Sequence, residues 1–259
     1  MSEPVELHCL RTNENPHTRV LLLHGLANSA AIWRTVTDGW PDGVEVWAAD
    51  LPWRGTGSRS WSWQSDCAQW IDEAAARVPG GTDVLVAHSM SANAVLELLS
   101  ATEAGYRAVV LVAPFFRADP EEFAWPAVQR SIANFEHTIT EGIRTHAAGR
   151  IPEDRIAELG RLVCAKAGPY AWFRFFTMYL NTPWLRTSAI RIPVRVLSGG
   201  RDETAPAAEG QRLAEALPSG SVRVLAESGH FPMIEFPGEF RAAVCEFLNQ
   251  YQTVACGVS

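Results

Sequence analysis

A serine at position 89 lies in a pattern that is typical of a reactive hydroxyl. Residues 84–93 read VLVAHSMSAN, an apolar strand pattern followed by serine and then by small residues that lead into a helical pattern. A sharp turn between strand and helix strains the serine backbone, lifts the hydroxyl above the sheet and places it at a helix N-terminus. The strict motif has glycine two residues before and after the serine, where this chain has Ala87 and Ser91. A helix N-cap is the competing interpretation of Ser89, and this segment alone leaves both open.

An aspartate and a histidine further along the chain could activate that hydroxyl. Asp202 lies in SGGRDETAP (residues 198–206), and His230 lies in ESGHFPMIEFP (residues 227–237), each directly after an apolar strand pattern. Loops that follow parallel strands meet at the carboxyl edge of a sheet, where the sites of open α/β sheets lie. A histidine can take the proton of a serine that attacks a carbonyl, and an aspartate can fix the tautomer of that histidine. We therefore predict Ser89 as nucleophile, His230 as general base and Asp202 as the orienting carboxylate.

Other titratable residues have weaker cases for a role in chemistry. Glu203 is a less favoured carboxylate than Asp202, and we expect Asp50 to hydrogen-bond the loop that it begins. His24 starts a turn that it is expected to stabilise, while His88 precedes the serine and is expected to line a pocket or to pack. No group of histidines and carboxylates has the spacing of metal ligands, so we predict no metal site.

The elements that must position these residues alternate along the chain. Short apolar runs suited to buried strands are found at residues 19–24, 44–49, 83–88, 108–112, 194–198 and 222–226. Apolar residues at helical spacing are found between and after these runs, at residues 62–78, 91–103, 207–217 and 239–251. Strands that alternate with helices indicate a parallel sheet with helical crossovers. We predict an α/β fold with a mostly parallel central sheet flanked by helices.

A stretch without any strand pattern interrupts this alternation between residues 115 and 191. It contains several helical patterns separated by proline and glycine, and it is rich in aromatic residues. These side chains could pack a helical lobe onto the sheet, or they could form an apolar substrate pocket under a lid. The two interpretations are balanced for any single aromatic residue, and we expect at least one of Phe175 and Phe176 to face a pocket.

Composition excludes several classes of protein. Of the 259 residues, 47% are apolar and 20% are charged, as in a globular protein, and one domain is expected. The net charge is −7 and no run of Lys and Arg could neutralise a phosphate backbone, so nucleic acid is not an expected partner. No secretory leader or membrane-spanning stretch is evident, so we expect a cytoplasmic protein without a membrane partner. The five scattered cysteines form no CxxC pair and are expected to be free, mostly buried thiols.

Five segments together resemble the landmark motifs of the α/β-hydrolase superfamily. They are HG at residues 24–25, DLPWRGTGS at 50–58, AHSMSA at 87–92, GGRDETAP at 199–206 and SGHFPMIEFP at 228–237. They span nearly the whole chain, and the order Ser, Asp, His is that of hydrolases with this nucleophile turn. The chain is similar in outline to small bacterial carboxylesterases and thioesterases, to hydrolases of carbon–carbon bonds and to cofactor-free haloperoxidases.

This resemblance implies a layout and a set of site residues. An α/β-hydrolase core would comprise residues 1–116 and 192–259, with a helical lid at residues 117–191 inserted after the sixth strand. The family's oxyanion hole consists of two backbone N–H groups, which correspond here to those of Leu26 and Met90. Contacts with substrate are expected from His88, Phe175, Phe176, Phe231 and Trp53, the last of them near the pocket mouth.

The resemblance also implies a reaction without a cofactor. We expect hydrolysis of an ester or thioester of a small apolar acyl substrate through an acyl-enzyme. A lyase, an acyltransferase, a cyclase or a carbon–carbon bond hydrolase with the same three residues remains open, as does a binding protein that retains the fold. Dehalogenation of haloalkanes and hydrolysis of epoxides are disfavoured because those relatives need aspartate in place of Ser89. The expected partner is a small molecule, with thioesters of coenzyme A or of an acyl carrier included, and the expected state is a monomer or homodimer.

Overall fold

One sheet forms the centre of the molecule. The computed structural model of the chain describes residues 5–64, 66–103 and 105–256, and seven strands are found within them. The strands are β1 (Glu6–Arg11), β2 (Thr18–Leu23), β3 (Val44–Asp50), β4 (Val84–His88), β5 (Ala108–Val112), β6 (Val194–Gly199) and β7 (Gly220–Leu225). Their order is β1-β3-β2-β4-β5-β6-β7, with β1 antiparallel to β3 and all other pairs parallel. The predicted α/β fold with a mostly parallel sheet is confirmed.

The six apolar runs of the sequence form strands β2 to β7. Their bounds agree with the prediction within two residues. Strand β1 was not predicted, because it is an edge strand with several exposed residues and therefore lacks a continuous apolar run. The prediction of strands depended on continuous apolar runs, and a partly exposed edge strand does not have one.

Helices cover both faces of the sheet. Along β2, Leu21 and Leu23 pack into one apolar cluster, while Val20 and Leu22 pack into another on the opposite face. This alternation follows from the two-residue period of a strand, and it explains why the strands are apolar throughout. The helices are α1 (Trp61–Gln64), α2 (Cys67–Ala76), α3 (Met90–Ala101), α4 (Trp125–Ala147), α5 (Glu153–Leu180), α6 (Ala207–Ala216), α7 (Pro232–Glu235) and α8 (Pro237–Cys256).

The stretch without strands contains two long helices, α4 and α5. This insertion was expected after the sixth strand, but it follows β5. One described strand, β1, precedes the apolar runs, and four of those runs form β2 to β5 before the insertion begins. Gly168, with φ of 75°, breaks α5, and Pro169 begins its second half. A Cβ atom at Gly160 would lie 2.2 Å from Oγ1 of Thr140, so glycine allows α5 to pack closely on α4. None of the described helices combines the length and the apolar composition needed to cross a bilayer.

Four cysteines are free thiols in the described part of the chain. Cys67 is buried, Cys9 is exposed, and Cys164 and Cys245 are partly buried. Burial raises the pKa of Cys164 to about 11, which keeps it a thiol at neutral pH. The predicted burial therefore applies fully to Cys67 alone, and the side chain of Cys256 lies outside the described residues.

Candidate active site

The three residues predicted to do chemistry lie at the carboxyl edge of the sheet. Ser89 lies between β4 and α3, Asp202 follows β6, and His230 follows β7. Because β4, β5, β6 and β7 are consecutive parallel neighbours, the loops after them project from the same edge. The topology therefore brings together side chains that are up to 141 residues apart in sequence.

Hydrogen bonds connect the three side chains. Nε2 of His230 lies 3.0 Å from Oγ of Ser89, and Nδ1 lies 2.8 Å from Oδ2 of Asp202. His230 and Asp202 are only 7% and 6% exposed, so little water competes for these bonds. Since a carboxylate only accepts, Nδ1 carries the proton of the neutral imidazole, and the lone pair of Nε2 faces the serine hydroxyl.

The main chain of its own loop orients Asp202. Oδ1 accepts hydrogen bonds from the backbone N–H groups of Thr204 at 2.9 Å and Ala205 at 2.8 Å. With the bond to His230 on Oδ2, both carboxylate oxygens are engaged, which fixes the plane of the carboxylate. The neighbouring carboxylate of Glu203 is exposed and borders a cavity next to Ser89 and His230.

Ser89 has the strained backbone that a nucleophile turn requires. Its φ and ψ are 54° and −121°, a conformation that a non-glycine residue adopts only under constraint. The constraint includes a hydrogen bond of 2.8 Å from the Ser89 N–H to the carbonyl oxygen of Val112 on β5. Ser89 occupies the N-cap position of α3, but its hydroxyl makes no capping hydrogen bond and contacts His230 instead.

The residues that replace the usual glycines around this turn are accommodated. Ala87 is fully buried in β4, and Ser91 is fully buried in the first turn of α3. The Ser91 hydroxyl donates to the carbonyl oxygen of His24 and accepts from Nε1 of Trp53 at 3.2 Å. A buried hydroxyl with both a donor and an acceptor partner carries little desolvation cost, so serine can replace glycine here.

His24 has a structural position in the turn after β2. Its Nδ1–H donates to the carbonyl oxygen of Gly25 at 2.8 Å, and its Nε2 accepts from the N–H of Leu51 at 3.0 Å. Burial lowers the pKa of His24 to about 4, so the ring is neutral near pH 7. Asp50 similarly supports a loop, because its carboxylate accepts from the N–H of Ala30 at 2.7 Å.

His88 contacts the main chain of the candidate base. Its Nε2 donates to the carbonyl oxygen of His230 at 2.9 Å, and the two rings lie 5.0 Å apart. Burial, together with the nearby His230, lowers the pKa of His88 well below its usual value, so the ring is neutral. Nδ1 is buried and has no hydrogen-bond partner among the described residues.

A cavity of about 700 Å³ opens directly above Ser89 and His230. Its roof is one face of α4, whose cavity residues recur every three or four positions, among them Ser131, Phe135, Ile139, Gly142 and His146. A Cβ atom at Gly142 would lie 2.8 Å from Cζ of Phe231, so glycine lets the helix pack on that ring. Helices α4 and α5 therefore enclose a mainly apolar space over the candidate nucleophile.

Several of the residues that were expected to contact substrate form part of the wall of this cavity. His88, Phe175 and Phe231 do so, and Leu26 and Met90 lie in its wall with Ser89. The N–H of Leu26 has no backbone acceptor within the described ranges.

Two other residues expected to contact substrate do not line the cavity. Trp53 is 1% exposed, packs against Trp61 and donates to the carbonyl oxygen of His24, so it supports the turn from below. Phe176 is 5% exposed and stacks on Trp172 in an apolar cluster between α5 and the core. Trp53 was expected at the pocket from its place in a motif and Phe176 from the aromatic character of the insertion, and neither reveals on which side of the backbone a side chain packs.

Sequence reasoning missed a buried polar cluster in the cavity wall. The Tyr179 hydroxyl donates to Oε1 of Glu209 at 2.5 Å and accepts from Nε of Arg117 at 2.8 Å. Glu209 also accepts from the N–H of Phe116 at 2.9 Å, and burial raises the pKa of its carboxyl. Phe115 lies beside this cluster and follows β5 at the carboxyl edge of the sheet, so its position in the sequence could have marked it as a residue of the cavity wall. Glu209 lies within α6, and no local sequence pattern marks it as a residue of the site.

Potential metal ligands cluster outside the cavity. Among the described residues, one group of three has ligand atoms close enough to share an ion: Glu6, His8 and Asp50. His8 is already hydrogen-bonded to Asp50 at 3.0 Å, and Glu6 pairs with Arg54 at 3.4 Å. The three side chains thus already take part in a hydrogen bond and an ion pair at the protein surface.

Sequence comparison places the chain among known families. A family model described as "Alpha/beta hydrolase family" matches residues 20–243, which is most of the chain. No protein with a curated description matches the sequence significantly.

Solved structures share the fold at low sequence identity. Est816, described as an N-acyl homoserine lactone degrading enzyme, is 19% identical with a TM-score of 0.69, over 94% of this chain and 96% of its own. A bromoperoxidase from Bacillus anthracis is 17% identical with a TM-score of 0.68, over 95% of each chain. A thermophilic esterase from Thermogutta terrifontis is 19% identical with a TM-score of 0.65, over 95% of this chain and 93% of its own.

Proposed function

The chain belongs to the alpha/beta hydrolase family, and from this premise we propose that it is a serine hydrolase that cleaves an ester or thioester through an acyl-enzyme. The hydrogen-bonded chain Ser89–His230–Asp202 is the observation that carries this proposal. The unprotonated Nε2 of His230 takes the proton of the Ser89 hydroxyl as its oxygen attacks the substrate carbonyl. The carboxylate of Asp202 stabilises the resulting imidazolium and keeps its ring in place.

Two backbone donors stabilise the negative charge that forms on the carbonyl oxygen. These are the N–H groups of Leu26 and Met90, which lie in the cavity wall beside Ser89. Each donor of this kind is worth a few kcal/mol of barrier, roughly 3 kcal/mol. His230 then protonates the leaving alcohol or thiol, and a water activated by the same imidazole hydrolyses the acyl-enzyme. The reaction needs the chain's own residues and water.

The substrate is a small molecule with an apolar acyl part. Phe115, Phe175, Phe231 and Ile139 border the cavity close to the candidate nucleophile, and burying apolar groups of a ligand against them favours binding. The helical insertion acts as a lid, since α4 covers the cavity along one face. An esterase and a lactone-degrading enzyme among the similar structures support the cleavage of an acyl–oxygen bond.

Covalent labelling tests this proposal. The protein is treated with a fluorophosphonate probe, the adduct is located by mass spectrometry, and esters and thioesters of increasing acyl length are assayed. We expect labelling of Ser89, its loss in Ser89→Ala, and its retention in Ser91→Ala, a matched control two residues away. His230→Ala should lose most labelling and most hydrolysis. Undiminished turnover by Ser89→Ala would overturn the acyl-enzyme and favour a lyase-like or non-covalent reaction.

A further inference from the structure

Exposed aromatic side chains meet where α5 passes α1. Trp63, Tyr170 and Phe173 are 51%, 58% and 59% exposed, and the rings of Trp63 and Tyr170 lie 5.6 Å apart, edge to face. Phe173 follows Tyr170 by one helical turn of α5. Single exposed apolar residues are common on proteins, but adjoining ones mark interaction surfaces. These three residues are called the aromatic patch.

Positive charge borders the aromatic patch. Residues 159–201 contain seven Arg or Lys residues and no Asp or Glu, although the whole chain has a net charge of −7. Lys166 is exposed on α5 before Tyr170, and the Arg59 guanidinium donates to the carbonyl oxygens of Ala165 and Lys166. Arg161 is exposed one turn earlier on the same helix. The segment that carries Tyr170 and Phe173 is thus basic in an acidic protein, while Trp63 comes from α1.

We propose that the aromatic patch and its basic border dock on an anionic lipid surface. Trp and Tyr favour the boundary between lipid headgroups and acyl chains, where their rings are buried and their polar atoms stay hydrated. Each Lys or Arg near an anionic membrane adds about 1 kcal/mol of attraction. Since the rest of the protein is acidic, this face is the one that such a surface attracts.

A second copy of the chain fits this face less well. In a symmetric dimer the same patch would meet itself, which would bring Arg59 and Lys166 of both copies together. Like charges at such an interface are repulsive, whereas anionic headgroups neutralise them. The charge of the surface therefore favours lipid over self-association.

Peripheral docking differs from the expectation that the protein has no membrane partner. That expectation rested on the lack of a segment able to cross a bilayer, and surface docking needs no such segment. The same helix contributes to the patch and to the cavity, because Trp172, which precedes Phe173 on α5, lies in the cavity wall. Docking is independent of the proposed hydrolysis, so each can fail without the other.

Co-sedimentation with vesicles tests the proposal. Full-length protein is mixed with vesicles of phosphatidylcholine alone or of phosphatidylcholine with phosphatidylglycerol, at low and high salt. We expect binding to the anionic vesicles only, with a lower bound fraction at high salt. The double variant Tyr170→Ser/Phe173→Ser and the variant Lys166→Glu should each bind about tenfold more weakly. The matched control is Trp125→Ser, which removes an aromatic residue that is 78% exposed on α4, outside the patch.

Three results would overturn lipid docking at this face. One is that the protein binds neither kind of vesicle, in which case an acidic protein would be the partner to test at this patch. Another is equal weakening by Trp125→Ser and by the patch variants. The third is sedimentation velocity that shows a dimer in the wild type and a monomer in Tyr170→Ser/Phe173→Ser, which would assign the patch to a second copy. Thermal melts of all variants exclude unfolding as the cause of lost binding.

Discussion

Nε2 of His88 donates a hydrogen bond to the main-chain carbonyl oxygen of His230, at a distance of 2.9 Å. The residue before the candidate nucleophile thus holds the backbone of the candidate base. The two rings lie 5.0 Å apart, and the lowered pKa of His88 means that no second positive charge opposes the imidazolium formed during reaction. His88 therefore links the turn that carries Ser89 to the loop that carries the candidate base, His230.

Substitution of His88 should lower kcat more than it raises KM. His88→Phe keeps the packing but removes the donor to the His230 carbonyl, so we expect kcat to fall roughly tenfold to a hundredfold, on the scale of one lost buried hydrogen bond. His88→Gln retains an N–H donor and should recover part of the loss. Steady-state kinetics and melting temperatures of both variants check this. Equal kcat in wild type and His88→Phe would assign the residue to packing alone.

Asp202→Asn should abolish most activity without unfolding the protein. The asparagine oxygen can still accept from the N–H groups of Thr204 and Ala205, but its amide would donate to Nδ1 of His230. The proton then lies on Nε2, which can no longer accept the Ser89 proton, and kcat should fall roughly 10³- to 10⁴-fold. Ester hydrolysis measures the loss, and thermal unfolding should change little. Asp72→Asn, at an exposed carboxylate of α2 outside the cavity, is the control and should retain activity.

Truncation of Trp53 should lower stability, whereas truncation of Phe175 should weaken substrate binding. Trp53→Phe removes the indole donor to His24 and Ser91, and we expect about 1–3 kcal/mol less unfolding free energy with KM nearly unchanged. Phe175→Ala removes part of the cavity wall and should raise KM for apolar esters about tenfold. Denaturant unfolding and steady-state kinetics separate the two effects. A larger rise of KM in Trp53→Phe than in Phe175→Ala would return the indole to the substrate pocket.

Glu97 should make stability fall as pH rises. Burial, with Asp66 nearby, raises the pKa of Glu97 to about 7, above its value of 4.5 when unfolded. The folded state then binds more protons than the unfolded state between these values, so the unfolding free energy decreases from about pH 4.5 to pH 7. Glu97→Gln should stabilise the protein by about 1–3 kcal/mol at pH 8 and have little effect at pH 4.

Urea unfolding of wild type and Glu97→Gln at these two pH values measures the effect. Glu215→Gln, at an exposed position of α6, is the matched control for the loss of one carboxylate. A stabilisation by Glu97→Gln that is the same at both pH values would contradict the proposed titration.

Several elements and residues could be predicted from the sequence, and others could not. The strands β2 to β7 were predictable because a strand buried on both faces must be apolar throughout, and Ser89, Asp202 and His230 follow such strands. Strand β1 was not, because its partial exposure hides the pattern. Trp53 and Phe176 were placed in the pocket on proximity to motifs and on aromatic character, yet both pack elsewhere.

The sequence by itself determined the alternation of strands and helices and singled out Ser89, Asp202 and His230 as candidate reactive residues, because these inferences depend on residue type and spacing. Only the tertiary structure decided which side chains face the cavity, that His88 holds the backbone of His230, and that Glu209 joins Tyr179 in the cavity wall. Those contacts join residues up to 142 positions apart. Their geometry depends on how helices pack against the sheet, and no local pattern encodes that.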